Sequence, residues 1–93
     1  MSLEEKFTLA ASILNDKAKK PKMDMKQQLT LYGLYMQSTK GKCTEPQPSK
    51  SDFAAYYKWT AWNKCGDMSK EDAKKKFVEF AKTVVSPEVK AKL

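Results

Sequence analysis

Apolar residues recur at intervals of three and four along four segments of this chain, and this spacing restricts the fold to a helical one. No segment shows the strict alternation of apolar and polar residues that a half-buried strand requires. The first stripe predicts a helix that ends within residues 15–18, before Lys19, Lys20 and Pro21. Its members are Leu3, Phe7, Ala10, Ala11 and Leu14.

A second stripe predicts a helix of about four turns that begins after Asp24, a suitable N-cap, and closes at Gly41. We expect its buried face to carry Met25, Leu29, Tyr32 and Met36, widened by Leu31 and Tyr35. Residues 41–50 then contain two prolines and no helical period, which indicates a long loop within one domain.

Ser51 or Asp52 can cap a third helix. That helix carries more aromatic surface than one buried face can hold, so some of its rings should face a ligand or solvent. They are Phe53, Tyr56, Tyr57, Trp59 and Trp62.

The last helix starts at Ser69, with Glu71 and Asp72 in its first turn, and ends at Ser86 and Pro87. Its predicted buried stripe is Ala73, Phe77, Phe80, Ala81 and Val84, and residues 87–93 are expected to form a tail that can fray. The prediction is therefore an all-α four-helix bundle in a single domain over residues 1–93, with one long loop between helices 2 and 3.

Composition limits the possible functions. The chain has no histidine, which removes the commonest general base and most zinc sites. Its two cysteines, Cys43 and Cys65, are expected to be free thiols, because the N-terminus lacks the basic and apolar pattern of a secretory signal. All eighteen basic residues are lysines and the net charge is +7, so we expect an anionic partner contacted by point charges.

Several short motifs, in this order and at this spacing, resemble those of the acyl-CoA-binding protein family over about residues 7–85. They are Tyr32-Gly33, Gln37-x-Thr39-x-Gly41, Pro48, Asp52-Phe53, Lys58-Trp59-x-x-Trp62-Asn63 and Ser69-x-Glu71-Asp72-Ala73. The resemblance implies a bundle of that family's type. It also implies a monomeric cytoplasmic carrier that binds medium- and long-chain fatty acyl-CoA esters and forms an intracellular pool of them.

The resemblance implies roles for particular residues. Tyr32 and Lys58 match family positions that contact the ribose 3′-phosphate of CoA, and Tyr35 lies one turn from Tyr32. Leu29, Phe7 and Ala10-Ala11 match positions that line the acyl groove and the adenine pocket, although ordinary core packing explains Leu29, Phe7 and Ala10 equally well.

Two expected ligand contacts depart from the family pattern. Met36 stands where the family usually has a lysine, and Phe77 stands where it usually has a tyrosine. Each change removes a polar group near the nucleotide, so CoA could be held less tightly than is usual in the family. Lys40, one turn beyond Met36, can supply part of the missing charge.

Other interpretations stay open. Lysines combined with Tyr56, Tyr57, Trp59 and Trp62 also suit a helical module that binds nucleic acid. Residues 17–22 carry four lysines, which indicates either a solvated turn or a basic lip that attracts phosphate or an acidic membrane. The outer face of the last helix, with Lys74, Lys75 and Lys76, could also contact a membrane or a partner enzyme. We expect no catalysis, no metal and no cofactor.

Overall fold

The computed structural model describes residues 2–16 and 22–93, and its described residues contain helices and no strand. The helices are α1 (Leu3–Asn15), α2 (Met25–Lys40), α3 (Phe53–Asn63), α4 (Lys70–Val84) and a one-turn α5 (Pro87–Lys90). The predicted all-α bundle is confirmed, with four main helices and the long loop between α2 and α3. Lys17, Lys19 and Lys20, for which the sequence left open a solvated turn or a basic lip, fall outside the described residues.

Side-chain caps determine where the helices begin. The Asp24 carboxylate accepts from the Gln27 backbone N–H, and the Gln27 side chain accepts from that of Asp24, which together form a capping box. Asp52 and Ser69 cap α3 and α4 with one hydrogen bond each, accepted from the backbone N–H groups of Ala55 and Asp72. Gly41 closes α2 with φ of 81°, a conformation that glycine adopts without strain. These helix ends were all predicted from the sequence.

Helix α2 lies at the centre of the bundle. It packs against α4 and against α3, while α1 packs on α4. The core between α1, α2 and α4 consists of Phe7, Ala10, Leu14, Leu31, Leu34, Phe77, Val78 and Ala81, closed by Leu93. Among the described residues α3 makes its main helix contacts with α2, so a cleft can open on either side of it.

The predicted buried face of α2 was wrong. Met25 is 61% exposed, and Leu29, Tyr32 and Met36 are only half-buried. Of the predicted positions α2 buries only Leu31, and its other buried positions are Gly33, Leu34, Gln37 and Ser38. Two helices cover α2 from different directions, so its buried surface follows their positions and includes polar residues. Met25, Leu29 and Tyr32 of the apolar stripe are left to border a cleft.

Helix α4 and the C-terminal residues differ from the prediction in detail. Ala73, Phe77 and Ala81 are buried as expected, but Val78 is buried in place of Phe80 and Val84, which are half-buried. Residues 87–93 do not form a loose tail. They include α5, and Leu93 is 6% exposed within the core cluster.

The crossing of α2 and α3 depends on Gly33. A Cβ at this position would lie 2.5 Å from the Ala61 carbonyl oxygen and 2.7 Å from its carbonyl carbon. Both atoms are backbone, so they cannot move aside without moving α3. The glycine that follows Tyr32 therefore allows α2 and α3 to approach closely. This close approach brings Lys58, which lies three residues before Ala61 on α3, opposite Tyr32.

Gln37 ties α2 to the turn that joins α3 to α4. Its side chain is fully buried, and Nε2 donates to the carbonyl oxygens of Gly66 at 3.1 Å and Met68 at 2.6 Å. Without this amide, both carbonyls would lose a partner that water cannot easily replace. The glutamine of the motif is thus structural.

Candidate functional site

A cleft of about 630 Å³ lies between α2 and the first half of α3, with the end of α1 and Phe77 of α4 at its base. Such a volume falls within the ordinary range for small-molecule sites. The walls are mainly apolar or aromatic, and the residues most relevant to binding are Leu29, Tyr32, Tyr35, Tyr57, Lys58 and Phe77.

Lys58 and Tyr32 face each other across this cleft. The Lys58 Nζ lies 5.5 Å from the centroid of the Tyr32 ring, a cation–π arrangement between residues of neighbouring helices. Within the part of the chain that the structure describes, no carboxylate forms an ion pair with Lys58. The ammonium is therefore available to an anion that enters beside the tyrosine.

The base of the cleft is aromatic. The Phe77 side chain is 3% exposed, and its ring centroid lies 6.1 Å from that of Tyr35. Phe7 packs beneath both rings, at 5.9 Å from Tyr35 and 5.1 Å from Phe77. These rings support one another, so the base should keep its shape when a ligand binds.

The structure brings five of the nine predicted site residues together. Leu29, Tyr32, Tyr35, Lys58 and Phe77 all line the cleft. The other four lie outside its lining: Phe7 beneath the base, Ala11 half-buried against the core, Met36 half-buried one turn beyond Tyr32, and Lys40 exposed at the end of α2.

Sequence reasoning missed the outer part of the cleft. Met23, Met25 and Gln28 of the α2 side and Phe53, Ala54 and Tyr57 of the α3 side also line it. One signal was present, because the excess of aromatic residues on α3 predicted that some rings would not be buried. Phe53 and Tyr57, four residues apart, are those rings.

The two tryptophan side chains of α3 form hydrogen bonds to the long loop. The Trp59 indole Nε1 donates to the Glu45 carbonyl oxygen, and that of Trp62 donates to the Gly41 carbonyl oxygen, each at 2.8 Å. Trp62 is buried. Since both indoles fasten residues 41–52 to α3, they do not form the exposed stacking surface that the nucleic-acid interpretation requires.

Residues 4–81 match the family described as Acyl CoA binding protein. This chain belongs to the acyl-CoA-binding protein family. It is 40% identical over 81 residues to acyl-CoA-binding domain-containing protein 1 of Arabidopsis thaliana, an alignment that covers 84% of this chain and 24% of that protein. The chain spans about a quarter of the length of the curated relatives it matches.

Two solved structures share the fold of this chain. The crystal structure of acyl-CoA-binding protein 2 of Oryza sativa superposes with a TM-score of 0.80, at 32% identity and 99% coverage of both chains. The solution structure of the acyl CoA binding protein of Babesia bovis gives 0.79, at 31% identity, covering 97% of this chain and 99% of that one. The two superpositions therefore cover nearly the full length of this chain.

Cys65 is a half-buried free thiol that follows the end of α3. Burial raises the pKa of its thiol, and nearby Lys76 offsets part of that rise. The thiol also donates to the Ala61 carbonyl oxygen at 3.7 Å. A protonated, hydrogen-bonded thiol is a weak nucleophile. Among the described residues no group of three or more His, Cys, Asp or Glu side chains could hold a metal ion.

Replacing Met36 with Lys is expected to tighten acyl-CoA binding severalfold. Met36 lies one turn beyond Tyr32 on α2, so a lysine there can extend towards an anion that enters beside Tyr32 and Lys58. Calorimetry with palmitoyl-CoA measures the change. Thr39→Lys, at an exposed position on the same helix, adds the same charge as a control. Equal affinity gains in both variants would mean that net charge alone is responsible.

Proposed function

We propose that this protein binds medium- and long-chain fatty acyl-CoA esters in the cleft between α2 and α3, and that it acts as an intracellular carrier and pool former. The observation that carries the proposal is the Lys58 ammonium over the Tyr32 ring beside an apolar cleft. Membership of the acyl-CoA-binding protein family supports it.

The cation and the aromatic ring suit the nucleotide end of the ligand. CoA carries several negative charges on its phosphates, and a lysine contacts phosphate as a mobile point charge. Tyr32 supplies a phenol and a ring face next to that charge. We infer that these two residues hold the ribose 3′-phosphate, which distinguishes CoA esters from shorter thioesters.

The apolar lining suits the acyl chain. Leu29, Met25 and Phe53 line the same cleft as Lys58 and Tyr32, so one amphiphile can contact both parts at once. Burial of each methylene is worth about 0.8 kcal/mol, before the cost of association. The length of the acyl chain should therefore control affinity.

We propose binding without chemical conversion of the ligand. In this sequence no histidine can activate a serine or cysteine nucleophile. Asp24 and Asp52, which directly precede the lining residues Met25 and Phe53, cap α2 and α3 through backbone hydrogen bonds. These groups already have structural partners.

Titration with palmitoyl-CoA, octanoyl-CoA and free CoA tests the proposal. Palmitoyl-CoA has about eight more methylenes than octanoyl-CoA, so even partial burial at about 0.8 kcal/mol each predicts at least a hundredfold tighter binding. Free CoA should bind more weakly still. Calorimetry gives the three dissociation constants, and equal values for all three ligands would contradict the carrier function.

The carrier must also receive and release its ligand. Transient contact with membranes or with enzymes that use acyl-CoA follows from this role, and we propose that the monomer makes that contact in the cytoplasm. Within residues 2–16 and 22–93, every helix is too short or too polar to cross a bilayer.

A further inference from the structure

The rim of the cleft is unusually apolar for an exposed surface. Among the described residues, three large apolar or aromatic side chains are exposed: Met25 at 61%, Phe53 at 67% and Tyr57 at 42%. All three line the cleft. Isolated exposed apolar residues are normal on any protein, but a group at the mouth of a binding site indicates contact with another apolar phase.

Exposed lysines accompany these side chains. Lys22 and Lys26 flank Met25 along the chain, and Lys50 and Lys58 lie on either side of Phe53. The carboxylates within the same two segments are Asp24 and Asp52, and each accepts a backbone N–H as a helix N-cap. The rim thus combines apolar side chains with a net positive charge.

We propose that this rim, Met25, Phe53 and Tyr57 with Lys22, Lys26, Lys50 and Lys58, docks on the surface of an anionic lipid bilayer. Aromatic and apolar side chains enter the headgroup region, and lysines around them are attracted to anionic headgroups. A docked rim places the mouth of the cleft at the bilayer surface. An acyl chain can then pass between bilayer and cleft without crossing water.

The outer face of α4 fits this role less well. Lys74 forms an ion pair with Glu4 at 2.6 Å, and its Nζ also lies 5.6 Å from the Phe7 ring centroid. The exposed lysines of that helix have no exposed large apolar side chain beside them among the described residues. The cleft rim, in contrast, offers both the charge and the apolar insertion.

Flotation with vesicles tests the docking surface in the absence of any acyl-CoA. The vesicles are phosphatidylcholine alone or with about 30% phosphatidylserine, an anionic lipid that lysines recognise. The wild-type protein should bind the anionic vesicles, bind the neutral ones at least tenfold more weakly, and detach as salt rises. Phe53→Gln should lower binding roughly tenfold, since it removes one inserted ring.

Matched charge variants separate the rim from general basicity. Lys26→Gln with Lys50→Gln alters lysines that do not line the cleft, and should lower vesicle binding roughly tenfold or more. Lys75→Gln with Lys90→Gln removes the same charge from exposed positions on α4 and α5, and should leave binding within about twofold.

Three outcomes would overturn the inference. They are failure of the wild-type protein to bind anionic vesicles, unchanged vesicle affinity of the Phe53→Gln variant, and equal losses of vesicle affinity in the two double lysine variants. No vesicle binding would leave a protein partner as the occupant of the rim. The inference rests on the proposed function, because docking would serve the transfer of an acyl chain. The vesicle assay contains no acyl-CoA and therefore tests docking separately. If the protein binds acyl-CoA with the expected dependence on chain length but does not bind vesicles, the docking inference alone is wrong. If it binds vesicles but does not bind acyl-CoA in that way, the proposed function alone is wrong.

Discussion

Replacing Lys58 with Met is expected to weaken palmitoyl-CoA binding by roughly ten- to a hundredfold. The substitution keeps a long apolar stem but removes the ammonium that lies 5.5 Å from the Tyr32 ring centroid. A hydrogen bond to a charged group contributes about 1.5–3 kcal/mol, and every 1.4 kcal/mol is about tenfold in affinity. Because Lys58 is exposed, water can replace part of the lost contact, and we expect the lower part of this range. Calorimetry measures the change.

Lys64→Met provides the matched control for this prediction. Lys64 is also exposed, lies six residues further along the chain and does not line the cleft. Its loss should alter affinity by less than about twofold. A palmitoyl-CoA analogue that lacks the 3′-phosphate should bind the wild-type protein and the Lys58 variant with nearly the same affinity. If Lys58→Met weakened binding of this analogue as much as it weakens binding of palmitoyl-CoA, Lys58 would not contact the 3′-phosphate.

Replacing Gly33 with Ala is expected to lower the melting temperature by on the order of 5–15 °C. A Cβ at residue 33 would lie 2.5 Å from the Ala61 carbonyl oxygen, so α3 must move away from α2. Overpacking costs about 1–3 kcal/mol, and an approach this close to backbone atoms places the cost in the upper part of that range. The better helix propensity of alanine, about 1 kcal/mol, offsets part of it and leaves about 1–2 kcal/mol. In a domain of this size, each kcal/mol corresponds to about 4–8 °C.

The same substitution should also weaken acyl-CoA binding, because displacement of α3 carries Lys58 away from Tyr32. Thermal unfolding and calorimetry measure the two effects. Since the obstructing atoms belong to the backbone, Ala61→Gly should not restore the stability of the Gly33→Ala variant. An unchanged or higher melting temperature for Gly33→Ala would show that the two helices do not need to approach this closely.

Helix ends were predictable because their determinants are local. Asp24, Ser69 and Gly41 act on backbone groups within a few residues of themselves, so their roles can be recognised in the sequence. The third helix was predicted with two possible caps, Ser51 and Asp52, and Asp52 accepts the hydrogen bond. The C-terminal residues were predicted incorrectly because the burial of Leu93 depends on distant core residues.

The central pair of the candidate site was also predictable, through motif resemblance. Tyr32 and Lys58 were named from their motifs, and the structure places them together. The exposure of Met25 was not predicted, because no local signal distinguishes an apolar residue that packs in the core from one that borders a cleft. That distinction depends on which neighbouring helix covers the residue. The excess of aromatic residues on α3 predicted that some rings would be exposed, but not that Phe53 would be one of them.

By itself, the sequence determined the helical class, most helix ends, the family and the residues that resemble its nucleotide site, since these depend on periodicity, caps and short motifs. Only the tertiary structure decided which face of α2 is buried. Helices α3 and α4 cover Leu34, Gln37 and Gly33, while the apolar stripe that includes Leu29 is left beside the cleft. Periodicity shows that a helix has an apolar face, but the arrangement of its neighbours determines whether protein or ligand covers it.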